Sequence, residues 1–134
     1  MSDIYRFPDL ALGELERGVL EVLWTHGPLN PGAVHECMDR VGGSSVKTVS
    51  SALKRLHQKG LLGREKVSHA YVYRPLVSRA ELQRKLISGI ADQFGDGSVT
   101  GFLAAFIDLA EERGDDTLQR LERMIAERIH EADE

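Results

Sequence analysis

The apolar positions of this chain follow helical spacing to about residue 60, change to strand spacing, and return to helical spacing beyond residue 77. Leu15, Val19, Val22 and Leu23 fall at i, i+4, i+7 and i+8 and predict a first helix from about Gly13 to His26. Gly13 stands as its N-cap with Glu16 three residues on, and Gly27-Pro28 ends it. Asn30-Pro31 is an N-cap followed by proline at the first helical position. It opens a second helix that buries Val34, Met38 and Val41 and stops at Gly42-Gly43. Ser44 or Ser45 caps a third helix with Val46, Val49, Leu53 and Leu56 as its buried stripe; Lys59-Gly60 supplies a cation in the last turn and a glycine just past it. Leu61 to Val67 and Ala70 to Arg74 then predict two strands around Ser68-His69, rich in β-branched and aromatic residues. Three helices followed by a hairpin make a winged helix-turn-helix.

Pro75 closes the hairpin, and Ser78 with Glu81 forms a capping box for a fourth helix carrying Leu82, Leu86, Ile90 and Phe94. Gly95-Asp96-Gly97 interrupts the chain. Ser98 opens a strongly apolar helix with Phe102 and Phe106, Gly114-Asp115-Asp116 breaks it, and Leu118, Leu121, Ile125 and Ile129 line a last one. Each of these helices has an apolar face, but about 55 residues make a marginal core alone. A second copy of the chain is the economical cover, which assigns Leu82, Leu86, Ile90, Phe94, Phe102, Phe106, Leu121 and Ile125 to a homodimer core. The expected fold is therefore mainly α with a small β-hairpin wing. Residues 1–76 form the winged helix-turn-helix domain and residues 77–134 a helical dimerisation domain. The alternative, a monomer with these helices folded back on the winged domain, would lay an acidic appendage over a basic face.

Charge sharpens this division. The whole chain carries −4, but residues 1–75 hold ten Lys/Arg against eight Asp/Glu, and residues 76–134 hold seven against thirteen. Between Ser45 and Arg74 there are seven cations and one acid, Glu65. The third helix sets Lys47, Thr48, Ser51, Arg55 and Gln58 opposite its apolar stripe, with no carboxylate among them. Hydroxyls, an amide and cations on one face suit a phosphate backbone and base edges, so double-stranded DNA is the expected partner. An ordinary solvated helix face is the plainer reading, and the missing carboxylates count against it.

The remaining chemistry is sparse. The single cysteine, Cys37, excludes an intrachain disulfide and lies where a small buried hydrophobe is expected. The five histidines show no metal-ligand spacing, no glycine-rich phosphate loop is present and no nucleophile–base pair stands out, so neither an enzyme nor a metal or other cofactor is expected. Trp24 reads as core or domain-junction packing. Tyr71 and Tyr73 share one strand face, so one of them should pack inward. No run is long enough to span a bilayer and no signal pattern is visible, which points to the cytoplasm and away from a membrane.

The chain resembles the BlaI/MecI/CopY family, the penicillinase-repressor group of winged-helix regulators. The residues that carry the resemblance are Leu12-Gly13-Glu14-Leu15-Glu16, Val22-Leu23-Trp24, Lys47-Thr48-Val49, Leu53 through Gly60, and Tyr71-Val72-Tyr73. The resemblance implies a homodimeric transcriptional repressor whose C-terminal helices pair, acting on operators of dyad symmetry built around TACA/TGTA elements. It places DNA-reading side chains at Lys47, Thr48, Ser51 and Arg55, with Arg64, Lys66 and His69 on the wing toward phosphate or the minor groove. Ser51 stands where threonine is common and lacks the methyl that packs on thymine. Two family devices are missing: Leu86 to Ala91 contains no Asn-Phe cleavage pair, and one cysteine cannot make a copper-binding cluster. The inducing signal is therefore not legible. The alternatives are a winged-helix interaction module that binds no DNA, or a ligand-responsive regulator of another winged-helix family.

Overall fold

The computed structural model describes residues 12–38, 44–94 (without the Phe94 side chain) and 99–133. Its elements are α1 (Glu14–His26), α2 (Pro31–Cys37), α3 (Val46–Gln58), β1 (Leu62–Val67), β2 (Ala70–Pro75), α4 (Arg79–Phe94), α5 (Val99–Glu112) and α6 (Thr117–Ala132). This is the mainly helical fold with a two-stranded antiparallel hairpin that the hydrophobic pattern predicts. Val41, Gly42-Gly43, Gly95 to Ser98, the arm at residues 1–11 and the side chain of Phe94 lie outside the described residues.

Local chemistry explains most element ends. Gly13 has no side chain to offer, so only half of a capping box forms there, the Glu16 carboxylate accepting from the Gly13 N–H at 3.1 Å. Asn30 Oδ1 accepts from the Ala33 N–H at 2.8 Å, and Ser45 Oγ accepts from the Thr48 N–H at 3.1 Å, which settles the cap of α3 on Ser45. The end of α3 is a Schellman turn: the Leu61 N–H reaches the Leu56 carbonyl and the Gly60 N–H the His57 carbonyl, both at 3.0 Å. Gly60 sits at φ +82°, where a Cβ would be strained. The expected box at α4 is complete, with Ser78 N–H donating to Glu81 at 2.8 Å and Glu81 N–H to Ser78 Oγ at 3.1 Å. These bonds hold the Glu81 carboxyl below its usual value.

Two compact units divide at Gln93–Phe94. In the first, Val19, Leu20, Leu23, Val34, Met38, Val49, Ala52, Leu53, Leu56, Leu61, Leu62 and Tyr73 make one core. The helix stripes converge there because each apolar face finds the others. Three side chains depart from expectation. Val46 is 44% exposed and Ala52 is fully buried, because the first-turn valine lies at the edge of the stripe that Val49, Leu53 and Leu56 define. Cys37 is exposed rather than buried, since α2 ends there, well short of the expected Gly42-Gly43, and Val34 and Met38 already fill its inner face.

The hairpin pairs from Leu62↔Pro75 to Val67↔Ala70. Leu29 adds an isolated antiparallel bridge, exchanging two backbone bonds with Tyr73 at 2.8 and 3.1 Å. Ser68 occupies the first central position of the two-residue turn at φ +60°, a place that favours glycine. Ser68→Gly relieves a left-handed penalty of about 1–2 kcal/mol and gives back about 0.5–1 kcal/mol in chain entropy, so it should raise the urea midpoint at unchanged slope; a lower midpoint would show that the turn tolerates serine without strain.

The first unit runs past the sequence boundary at 76/77 because the start of α4 is fastened to α1. Trp24 Nε1 donates to the Val77 carbonyl at 2.9 Å, the Arg79 guanidinium stacks over the Trp24 ring, and Arg79 pairs with Glu21. Trp24 is thus a junction residue. Leu82, only 6% exposed, belongs to this unit's core, and Leu86 packs partly against that core.

The second unit is the α5–α6 hairpin. Ala110 is its one buried apolar residue among those described, while Val99, Leu103, Phe106, Ile107, Met124, Ile125 and Ile129 are all exposed. Phe102 and Phe106 meet edge to face at 5.1 Å. A cavity of about 350 Å³ opens between the helices, lined by Ile107, Leu118, Leu121 and Ile125.

Candidate nucleic-acid interface

α3 buries Val49, Ala52, Leu53 and Leu56. At 100° per residue the positions opposite this stripe are Lys47, Ser51, Lys54 and Gln58. Thr48 and Arg55 lie on one flank of that outward face, Val46 and Ser50 on the other. Lys47, Thr48, Ser51 and Arg55, the four residues expected on sequence grounds, are all exposed. Thr48 Oγ1 shares a hydrogen bond with the capping Ser45 Oγ at 3.0 Å, which fixes its hydroxyl at the helix entrance.

Lys54 was not in the expected set. It lines, with Val46, Ser50, His69, Tyr71 and Tyr73, a groove of about 480 Å³ between α3, the start of α2 and the hairpin. Lys66 and His69 are exposed near the tip of the hairpin. Arg64 is half-buried, with its guanidinium 4.2 Å from the centre of the Tyr71 ring and Nη1 donating to Tyr73 Oη at 3.4 Å. The structure brings His69 and Lys54 to one groove, while Arg64 is stacked along the strand. Tyr73 is the inward tyrosine and Tyr71 the outward one.

His57 couples α3 to the hairpin. Its Nδ1 lies 3.0 Å from the Leu62 carbonyl, and because a carbonyl only accepts, Nδ1 carries the proton. His35 Nε2 likewise donates to the Ser44 carbonyl at 2.8 Å, ahead of α3.

Glu16 is the residue that sequence reasoning placed only as a cap. Its carboxylate, almost covered, receives Lys59 Nζ at 3.2 Å and faces Arg55 Nε at 3.5 Å. The face without carboxylates therefore has one at its edge, supplied by α1. No local spacing could reveal a partner 43 residues away. Burial alone raises this carboxyl; the Gly13 N–H, the Lys59 hydrogen bond and charge, and the Arg55 charge outweigh it and hold the group below its ordinary value. A carboxylate whose pKa is lower folded than unfolded stabilises the fold above the unfolded value, about 4.3, and loses that contribution as pH falls through the folded value. The stability difference between the native chain and Glu16→Gln should then be widest near neutrality and shrink as pH falls from the unfolded value through the lowered folded one. Denaturant melts at pH 7 and pH 3 check this, and a difference that persists in acid would assign the effect to packing.

Among the described residues no group of three or more His, Cys, Asp or Glu side chains could hold a metal ion, and no helix is long and apolar enough to cross a membrane.

A three-helix unit with a two-stranded wing and an exposed cationic third helix defines a winged helix-turn-helix protein. The penicillinase repressor family model matches residues 12–127, and the chain belongs to that family, one of transcriptional repressors and not of enzymes. A penicillinase repressor of Bacillus licheniformis is 24% identical over 111 residues, covering 83% of this chain and 85% of that protein. Among solved structures, the solution structure of the DNA binding domain of the repressor BlaI is 27% identical with a TM-score of 0.49, over 60% of this chain and 93% of its own. The crystal structure of the transcriptional regulator Tm0710 from Thermotoga maritima is 18% identical with a TM-score of 0.47, over 95% of this chain and 80% of its own.

Proposed function

We propose that this repressor works as a homodimer on operator DNA of dyad symmetry, with α3 in the major groove and the hairpin against the backbone. The observation that carries the reading is the exposed α3 row of Lys47, Ser51 and Lys54, flanked by Thr48 and Arg55, in a chain of a repressor family. The hydroxyls of Thr48 and Ser51 are suited to base edges, the lysines to phosphates and Arg55 to either. Lys66 and His69 are the wing residues free to reach phosphate, while Arg64 braces Tyr71. The two α3 helices of a dimer would occupy successive major-groove faces and block polymerase sterically. This activity places the protein in the cytoplasm, with the DNA.

The α5–α6 hairpin supports the dimer: Phe106 and Ile125 are exposed and Phe102 and Leu121 half-buried, which is apolar surface that a single chain leaves in water, and Ile90 on α4 of the first unit is exposed as well. Phe94 belongs to the same proposed set by sequence.

Selection of bound fragments from a random duplex pool tests the whole reading. It should return an inverted repeat with half-sites about one helical turn apart, or a multiple of it. Arg55→Ala should then cost on the order of 1–3 kcal/mol of operator binding at matched salt. A pool that yields no enriched sequence at low salt would favour a protein-interaction module, and a single unrepeated half-site would remove the dimer.

A further inference from the structure

We infer that Glu16, on the scaffold helix α1, is a positioning residue that makes Arg55 selective, holding its guanidinium by the inner nitrogen and cancelling its charge toward non-specific phosphate. The inference rests on the proposal that α3 reads DNA.

The carboxylate has an anchorage of its own. Gly13 N–H holds Oε1 at 3.1 Å and Lys59 Nζ holds Oε2 at 3.2 Å, so its place does not depend on Arg55. Arg55 Nε lies 3.5 Å from Oε2, long for a hydrogen bond but close for an ion pair. That contact uses the stem-side nitrogen. The two terminal nitrogens, which form the bidentate fork for a guanine edge, have no protein partner among the described residues. Lys47 and Lys54 differ in kind, since no carboxylate among the described residues pairs with either.

The cations of α3 are thus of two sorts. A free lysine gains the full counterion-release free energy on any phosphate. Arg55 can swing to a phosphate only by leaving Glu16, which would strand a nearly buried carboxylate with one cation fewer. At a base edge it keeps both partners, Nε toward Glu16 and the fork toward the acceptors. Glu16 therefore penalises Arg55 on arbitrary DNA and spares it on the right base.

The test uses the full chain, the duplex selected above and a scrambled duplex of equal length, with anisotropy titrations across a salt series. Glu16→Gln keeps an oxygen for the Gly13 N–H and loses only the charge. It should steepen the log–log salt slope on scrambled DNA by about one and lower the operator-to-scrambled ratio about tenfold. In an Arg55→Gln background the same substitution should no longer change the ratio, a result that a structural role for Glu16 would not produce. Unchanged slope and ratio in Glu16→Gln, or an equal fall on both duplexes, would overturn the inference. Should Glu16→Gln not fold, Arg55→Lys decides: it keeps the charge without the fork, so the ratio should fall about tenfold at constant slope, and a native ratio would overturn the inference. A native chain that binds neither duplex at low salt would refute DNA reading itself, a failure visible before any variant is made.

Discussion

A chain carrying Ile125→Glu and Ile129→Glu should sediment as a monomer at micromolar concentration, where the unaltered chain should be a dimer. The two isoleucines lie one turn apart on α6 and are 50% and 59% exposed, so each substitution removes less packing from the isolated chain than a change in the core would. Burying an isoleucine is worth about 1.5–3 kcal/mol, and a carboxylate forced into the same interface would face desolvation without a partner. The winged unit shares no core residue with them and should melt as before. Operator affinity should nevertheless fall by about 10²-fold or more, because two linked heads would become two independent ones. An unaltered chain that is monomeric at that concentration would sink the prediction, as would a double variant that still pairs.

Tyr73→Ala should destabilise the first unit by about 3–5 kcal/mol, the range for emptying a buried aromatic site. Tyr73 is 1% exposed, and its backbone joins β2 to Leu29 as well as to β1. Its ring lies on the inner face of β2, in the core that α3 also enters, so the cavity would loosen the wing from the recognition helix. Tyr73→Phe separates the ring from the hydroxyl. Among the described residues the one partner of Oη is Arg64 at a long 3.4 Å, so this change should cost about 0.5–1.5 kcal/mol at most. Urea unfolding of both variants checks the pair of values. Equal losses would move the effect from packing to the hydrogen bond.

The element order, caps and wing were legible because their signals are local. Asn30 and Ser45 each reach a backbone N–H three residues on, Ser78 and Glu81 cap each other, and Gly60 supplies a left-handed residue where α3 must stop. Such contacts need only a few consecutive residues, so the sequence holds all of their parts. The four candidate residues on α3 were legible for the same reason: a period of 3.6 sorts inside from outside on a helix that is long enough.

Misplaced residues fall at stripe edges and across elements. Val46 and Ala52 exchange roles because the width of a buried stripe depends on what packs against it. Cys37 is exposed because α2 ends at that residue. Leu82 satisfies the same spacing as a dimer contact, but Trp24 draws the start of α4 onto α1 and Leu82 joins the nearer core.

By itself the sequence determined the winged helix-turn-helix order, the cationic outer face of α3 and the apolar stripes that follow. Tertiary structure alone decided that Glu16 stands beside Arg55 and Lys59, that Lys54 and His69 share a groove, and that the α5–α6 hairpin buries only Ala110 among its described apolar residues. The physical reason is range. Hydrogen bonds and periodicity act within a few residues, whereas an ion pair spanning some forty residues forms only after the core has brought two helices together.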